Sequence, residues 1–223
     1  MDAHMLGDVV IALDIEATGP QVGTHVIVAI GGVAVDAATQ RDVDSMLLKL
    51  DTRGCEWDAH CVATFWDKHP GMRDMLTTAT NVGADVLLSR EQAATRLDAW
   101  IRHVRERARS VELLSDCPQF DGGWLDALLA EAGLPPLHLP TPGEFRPMVD
   151  TRSTYKALAW AASVARVKPL PVDVSELPRT HNPLDDARHI AVRHLRTQEA
   201  FRALFRGLGS VYHGGGAMYA PMM

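Results

Sequence analysis

The chain has 223 residues, a formal net charge of −6 and three cysteines. That length allows one substantial core, and no apolar run approaches what is needed to span a bilayer. The acidic balance argues against broad non-specific nucleic-acid binding, but a nuclease stays open, because an acidic metal site adds negative charge that bound cations offset. Residues 1–5 lack the basic region of a signal peptide. Cys55, Cys61 and Cys117 do not pair off evenly, which fits a reducing compartment. The expectation is a cytoplasmic chain with no membrane segment.

Residues 8–13 form a short, nearly continuous apolar run, rich in valine and isoleucine, and read as a buried strand. The run leads into Asp14-Ile15-Glu16 and then the turn signal Ala17-Thr18-Gly19-Pro20. Alternate strand residues share a face, so Asp14 and Glu16 point together and Ile15 points away. Two such acids repel each other. They need either water or a cation, and alone the pattern fits plain surface carboxylates. Residues 26–35 read as a second strand, with Gly31-Gly32 marking a bulge or a close backbone approach. Residues 45–50 make a third, and the short connections favour an antiparallel meander.

Residues 64–70 read as a short helix halted before Pro70. Cys55, His60, Cys61 and His69 match no structural zinc spacing. Ser89-Arg90-Glu91-Gln92 is a capping box, followed by Ala93, Leu97, Trp100, Ile101 and Val104 at helical spacing. That helix is expected to carry Arg102, Arg105, Arg107 and Arg109 as a solvated basic end. Residues 111–115 form a fourth strand. The helix after it has the stripe Trp124, Leu125, Leu128 and Leu129 and ends at Gly133. Residues 134–147 form a loop rich in proline. A further helix starts near Asp150 as its N-cap. A second loop covers about 166–180, and a long helix runs from about Pro183 to Phe205. The expected division is one domain over 1–206 and a mobile tail over 207–223. The order predicts an α/β fold, a mixed sheet with three antiparallel strands first, flanked by helices.

The chemistry-bearing residues converge along this order. Asp14 and Glu16 end the first strand, Asp121 opens a helix after a later strand, and His181 precedes the helix that carries Asp186. Four carboxylates and one imidazole suit a phosphodiesterase that uses two oxygen-loving cations, with the imidazole as general base for water. A lone histidine is more often structural, and His181 is singled out from ten histidines only by its company.

This pattern resembles the DEDD superfamily of 3′–5′ exonucleases, in the branch with a histidine base. The resemblance rests on Asp14-Ile15-Glu16-Ala17-Thr18-Gly19, on Phe120-Asp121 before an apolar helix, and on His181-Asn182-Pro183-Leu184-Asp185-Asp186-Ala187. It covers roughly residues 8–200 and is greatest to ribonuclease T-like and small exoribonuclease-like members. It implies a ribonuclease H-like sheet. It also implies two Mg²⁺ or Mn²⁺ ions on Asp14, Glu16, Asp121 and Asp186, with His181 as base. The implied partner is RNA or DNA with a free 3′ end, and the implied product is a nucleoside 5′-monophosphate. Some members are dimers, so a homodimer is among the expected assemblies. Members often carry an asparagine shortly before the second-motif aspartate, where this chain has Ser115-Asp116-Cys117-Pro118. The role of Asp116 stays open, and Asp185 reads as a cap or salt-bridging residue. Thr18, Phe65 and Trp66 are candidate substrate contacts. A turn-stabilising hydroxyl is an equal reading for Thr18, and core packing competes with base stacking for Phe65 and Trp66. Two rivals remain: a non-catalytic nucleic-acid-binding module on the same fold, and a hydrolase of small phosphoesters or dinucleotides.

Overall fold

The computed structural model describes residues 6–79, 86–138, 147–164, 172 and 179–212, with side chains up to 206. β1 (Leu6–Ala17), β2 (Ile27–Asp36) and β3 (Asp42–Leu50) form the expected antiparallel meander. α1 (Ala59–Thr64) and α2 (Pro70–Thr77) follow, then the two-residue β4 (Leu87–Leu88) and α3 (Arg90–Arg107). β5 (Ala108–Ser115) pairs parallel to β1 and leads into α4 (Pro118–Glu131). β6 (Val149–Asp150), α5 (Thr151–Val164) and α6 (Pro183–Tyr212) complete the order. The six-stranded mixed sheet runs β4-β3-β2-β1-β5-β6.

β1 is the spine of this sheet, and its alternation sorts the two cores. Val9, Ile11, Leu13 and Ile15 pack toward Leu97, Ile101 and Val104 of α3 and Leu125, Leu128 and Leu129 of α4. Val10 and Ala12 pack on the other face against Ala187, Ile190, Ala191 and Leu195 of α6. Asp14 and Glu16 continue the parity of Val10 and Ala12, so they emerge on the α6 face, as strand alternation requires.

Gly31 faces Asp14 in the β1–β2 register. A Cβ built there would lie 2.0 Å from the Pro183 carbonyl carbon and 2.3 Å from the Leu184 nitrogen. The register shifts along β2 fall on either side of this point, opposite Glu16/Ala17 and at Ala34/Val35. Of the two readings of Gly31-Gly32, the close approach is therefore the observed one: the missing side chain lets the start of α6 settle onto the sheet beside Asp14.

Several expectations change. Pro70 does not merely halt a helix; it is the first residue of α2, where its missing N–H costs nothing. The preceding turn is split into α1 and a 3₁₀ turn over Trp66–Lys68. Arg109 is not on the helix, because α3 ends at Arg107. It lies on β5 and its Nε donates to Asp8 at 2.9 Å. β4 and β6 are too short for a period-2 signal to register. Asp150 belongs to β6, yet it caps α5 as expected, accepting from the Ser153 nitrogen at 2.9 Å. α6 runs past Phe205 to Tyr212, and residues 213–223 lie outside the described residues. No helix among the described residues is long and apolar enough to cross a membrane.

Candidate active site

The three sequence motifs meet at the C-terminal end of β1. Glu16, His181 and Asp186 bring one donor atom each within 4.8 Å of one another, the one such group among the described residues. Asp14 stands one step back on the same strand face, and Asp121 comes in from the first turn of α4. Ser115, the last residue of β5, donates through its hydroxyl to Asp121 and accepts from the Cys117 nitrogen at 2.8 Å. That serine fixes the carboxylate as α4 begins. Asp186 is buried at the start of α6 and accepts from the Thr180 nitrogen at 3.0 Å. Asp185 faces outward, accepting from the Thr180 hydroxyl at 3.1 Å and lying 3.6 Å from Arg188. This is the salt-bridging role expected of it.

The electrostatics of this cluster are unusual. Burial, then the charges of Asp121, Glu16 and Asp186, push Asp14 well above the carboxylate range. Burial, with Asp186 and Asp121 beside it, pushes Glu16 up to about 8. Burial raises Asp121 to about 6, against the hydrogen bonds from Ser115 and from the Cys117 and Ile15 backbone. All three shifts come first from burial, and at Asp14 and Glu16 the neighbouring acids add to it, so charge here is neither solvated nor neutralised by its surroundings. Oxygen donors of this kind suit hard divalent cations.

His181 adopts a left-handed backbone, φ 59°, which few side chains other than glycine and asparagine occupy without cost. Its ring sits edge-on to Phe65 at 4.9 Å and 4.4 Å from the ring of His69. Burial and the nearby His69 lower its pKa, with Asp186 pulling the other way. The strained backbone and the ring contacts place the imidazole at the carboxylates rather than in solvent.

The tentative substrate contacts separate. Trp66 is fully buried and its indole N–H donates to the Ala17 carbonyl at 3.2 Å, so it cannot stack on a base. It packs with Val28, Ala29 and Leu76 and supports the end of β1 from behind. Thr18 is also fully buried, and its hydroxyl accepts from the Val26 nitrogen at 3.1 Å. It stabilises the turn and does not reach the cleft. Phe65 does line a cavity of about 290 Å³ beside Glu16, together with Ile15, Asp58, Cys61 and Phe120. His69, Ser115 and Asp116 were not singled out as site residues by the sequence. Ser115 and Asp116 show in the sequence only as a departure from the family pattern, and the contacts of all three arise through tertiary packing.

The sequence profile of the Rv2179c-like 3′-5′ exoribonuclease domain matches residues 9–197. The chain belongs to this family. It is a nuclease of the 3′–5′ exoribonuclease kind, and the Rv2179c-like domain takes in all five residues of the cluster. Divalent-metal dependence follows at the level of the family. No curated protein sequence matches the chain.

Among solved structures, the nuclease domain of 3′hExo, a DEDDh family member bound to rAMP, is 15% identical with a TM-score of 0.57. It covers 89% of this chain and 94% of its own. The complex of a 3′-exonuclease described as recognising the 3′ end of histone mRNA stem-loop is 14% identical with a TM-score of 0.55, covering 89% and 84%. E. coli exonuclease I with a dT13 oligonucleotide is 10% identical with a TM-score of 0.59; it covers 91% of this chain but 43% of its own. At these identities the likeness is one of fold, and the fold is the ribonuclease H-like sheet of such nucleases.

Proposed function

We propose that this Rv2179c-like domain is a two-metal exonuclease that removes nucleoside 5′-monophosphates from the free 3′ end of RNA in the cytoplasm. Asp14, Glu16, Asp121 and Asp186 hold two divalent cations, Mg²⁺ or Mn²⁺, and His181 is the general base. The observation that carries this reading is a cluster of four carboxylates, two of them at the His181 imidazole, with three of the four holding protons above their ordinary values. Cation binding relieves that repulsion, so the donor set fits hard cations. When bound, such ions supply charge neutralisation at the attacking and leaving oxygens.

The chain's own groups do the rest. His181, whose pKa is lowered by burial, is neutral near pH 7 and takes the proton of the attacking water on a ring nitrogen. Ser115 keeps the Asp121 carboxylate oriented. The cavity beside Glu16 receives the terminal nucleoside, with Phe65 and Phe120 as its apolar walls. The three cysteines are free, in keeping with a reducing compartment. Relatives of this fold were captured with rAMP, stem-loop RNA and dT13, which supports a nucleic-acid strand as substrate. A homodimer is among the assemblies this reading allows.

The test is digestion of 5′-labelled single-stranded RNA, with a DNA strand of the same sequence beside it, in Mg²⁺ or Mn²⁺. A descending ladder that begins at full length is the expected result. Immediate release of labelled mononucleotide would mean attack from the other end, and no cleavage with either ion would overturn the assignment.

A further inference from the structure

A second cluster adjoins the carboxylates on the β5–β6 side. Asp116 is the first residue after β5 and is buried. It accepts from the Thr151 hydroxyl at 2.5 Å and pairs with Arg193 of α6 and with Arg179; Arg152 of α5 lies 3.8 Å away. A buried aspartate needs one good cation and its remaining lone pairs satisfied. Arg193, with 15% of its side chain exposed, and Thr151 meet that need at Oδ1, and Arg179 stands at Oδ2. Arg179 and Arg152 bring a second and a third guanidinium to a carboxylate that carries a single charge. Their side chains are 38% and 55% exposed, so they reach solvent from a fixed base.

Asp150 also faces this cluster, but its oxygens accept from the Ser153 nitrogen at 2.9 Å and hydroxyl at 2.6 Å as it caps α5. Among the described residues, three guanidiniums therefore meet two carboxylates, one of them engaged in capping. Crowding by Arg179 and Arg152, with burial as the larger cause, lowers Arg193 to about 10. The cluster also lies within electrostatic reach of the site: the charge of Arg179 acts on Asp14 and His181, and that of Arg152 acts on Asp121.

The arrangement across the sheet gives this surplus a direction. The Phe65 cavity lies beyond the end of β1 toward α1, and the guanidiniums lie beyond β5 and β6. The carboxylates stand between them. An exonuclease that takes the terminal nucleoside into the cavity must pass the rest of the strand out on the other flank. Arginine offers a planar fork of donors that suits phosphate oxygens.

We propose that Arg152 and Arg179, held by Asp116, bind a phosphodiester of the RNA strand on the 5′ side of the scissile bond. This rests on the exonuclease reading above. Asp116 and Arg193 are positioning residues, buried beneath the two guanidiniums that meet the substrate.

The test measures binding and turnover separately. Affinity for a 5′-fluorescein oligoribonucleotide is read in the His181→Ala background with Mn²⁺, with and without Arg152→Gln and Arg179→Gln. The paired change is expected to raise Kd by about tenfold or more. It should also reduce the slope of log K against log salt by about 0.7 for the lost contact. Turnover is read with His181 intact on RNA and on the p-nitrophenyl ester of a nucleoside 5′-monophosphate, which has nothing on the 5′ side of its phosphate. RNA should lose far more in kcat/KM than the ester does.

An unchanged Kd, or an equal loss on both substrates with a fallen melting temperature, would mean a structural ion-pair network and overturn the proposal. Arg152→Gln alone guards against misfolding, because Arg193, Arg179 and Thr151 still serve Asp116. It should raise Kd several-fold, and no change there also overturns the proposal. If wild type turns over neither substrate while the variants still weaken RNA binding, the exonuclease reading fails and the phosphate site stands.

Discussion

The two ends of β1 treat their carboxylates in opposite ways. At the start, Asp8 is met by the Arg109 guanidinium and the Ser110 hydroxyl, which hold it down at about 2. At the end, Glu16 is buried among other acids and rises to about 8. One strand thus carries an aspartate held in its charged form and, eight residues on, a glutamate that resists it. Hydrogen-bond donors come to Asp8 from the neighbouring strand. At Glu16 the neighbours are acids, and the missing partner is a cation. The difference marks which end was built for structure and which for chemistry.

The largest way to break that contrast is to remove an acid from the crowded end. Asp14→Asn should bring turnover below detection and should also remove most of the rise in melting temperature that Mn²⁺ gives wild type. If the metal raised the melting temperature equally in both, Asp14 would not be a ligand. His181→Ala should cost about 10²–10⁴ in kcat while leaving the metal-induced melting shift in place. Near wild-type turnover at saturating Mn²⁺ would remove His181 from the role of base.

Gly31→Ala breaks the site from behind. The new methyl would meet the backbone of Pro183 and Leu184, which cannot swing aside as a side chain could. The start of α6 must lift, carrying His181 and Asp186 with it. The expected loss is about 1–3 kcal/mol of stability in denaturant melts together with a large fall in kcat. A variant with full activity would show that the third motif does not depend on this approach.

Much of this was legible in advance, for physical reasons that can be named. The nearly continuous apolar run over residues 8–13 and the parity of Asp14 and Glu16 are local, and local rules held. Gly31-Gly32 was legible as an irregularity, and the packing of α6 decided between its two readings. Trp66 and Phe65 are neighbours in sequence, yet one faces the core and the other the cleft, and no periodicity survives in so short a turn to say which. Asp116 was visible as a departure from the family pattern, but its partners come from three distant segments. The same holds for His69 against His181, 112 positions apart in the chain numbering.

The pH dependence of stability sharpens the comparison, and its sign differs between the two ends. Metal-free protein folded with Glu16 at about 8, against an ordinary 4.5, binds more protons than its unfolded chain between those values. Asp121, at about 6 against 3.8, acts in the same sense over a lower window. The stabilisation from these groups is complete below the ordinary values and is lost as pH rises through the folded ones. In EDTA the melting temperature should therefore fall by roughly 5 °C or more from pH 5 to pH 8, and saturating Mn²⁺ should flatten that fall. Glu16→Gln removes the titrating group, so this variant should melt above wild type at pH 8 in EDTA while being inactive.

The smallest effect belongs to Asp8, and it serves as the control for the rest. Its pKa is depressed, so its contribution is present above the ordinary value of 3.8 and is lost only as pH falls through about 2. It is also an exposed pair, and solvent screens most of what the Arg109 contact gains. Asp8→Asn should leave the melting temperature between pH 5 and 8 unresolved from wild type, with or without metal, and turnover unchanged. The two substitutions remove one carboxylate each from the same strand, so the formal net charge changes equally. If Asp8→Asn raised the metal-free melting temperature at pH 8 as Glu16→Gln does, the gain would come from reducing the chain's overall −6 charge. Only if the gain is confined to Glu16 does it report the crowding at the end of β1 that a cation is there to relieve.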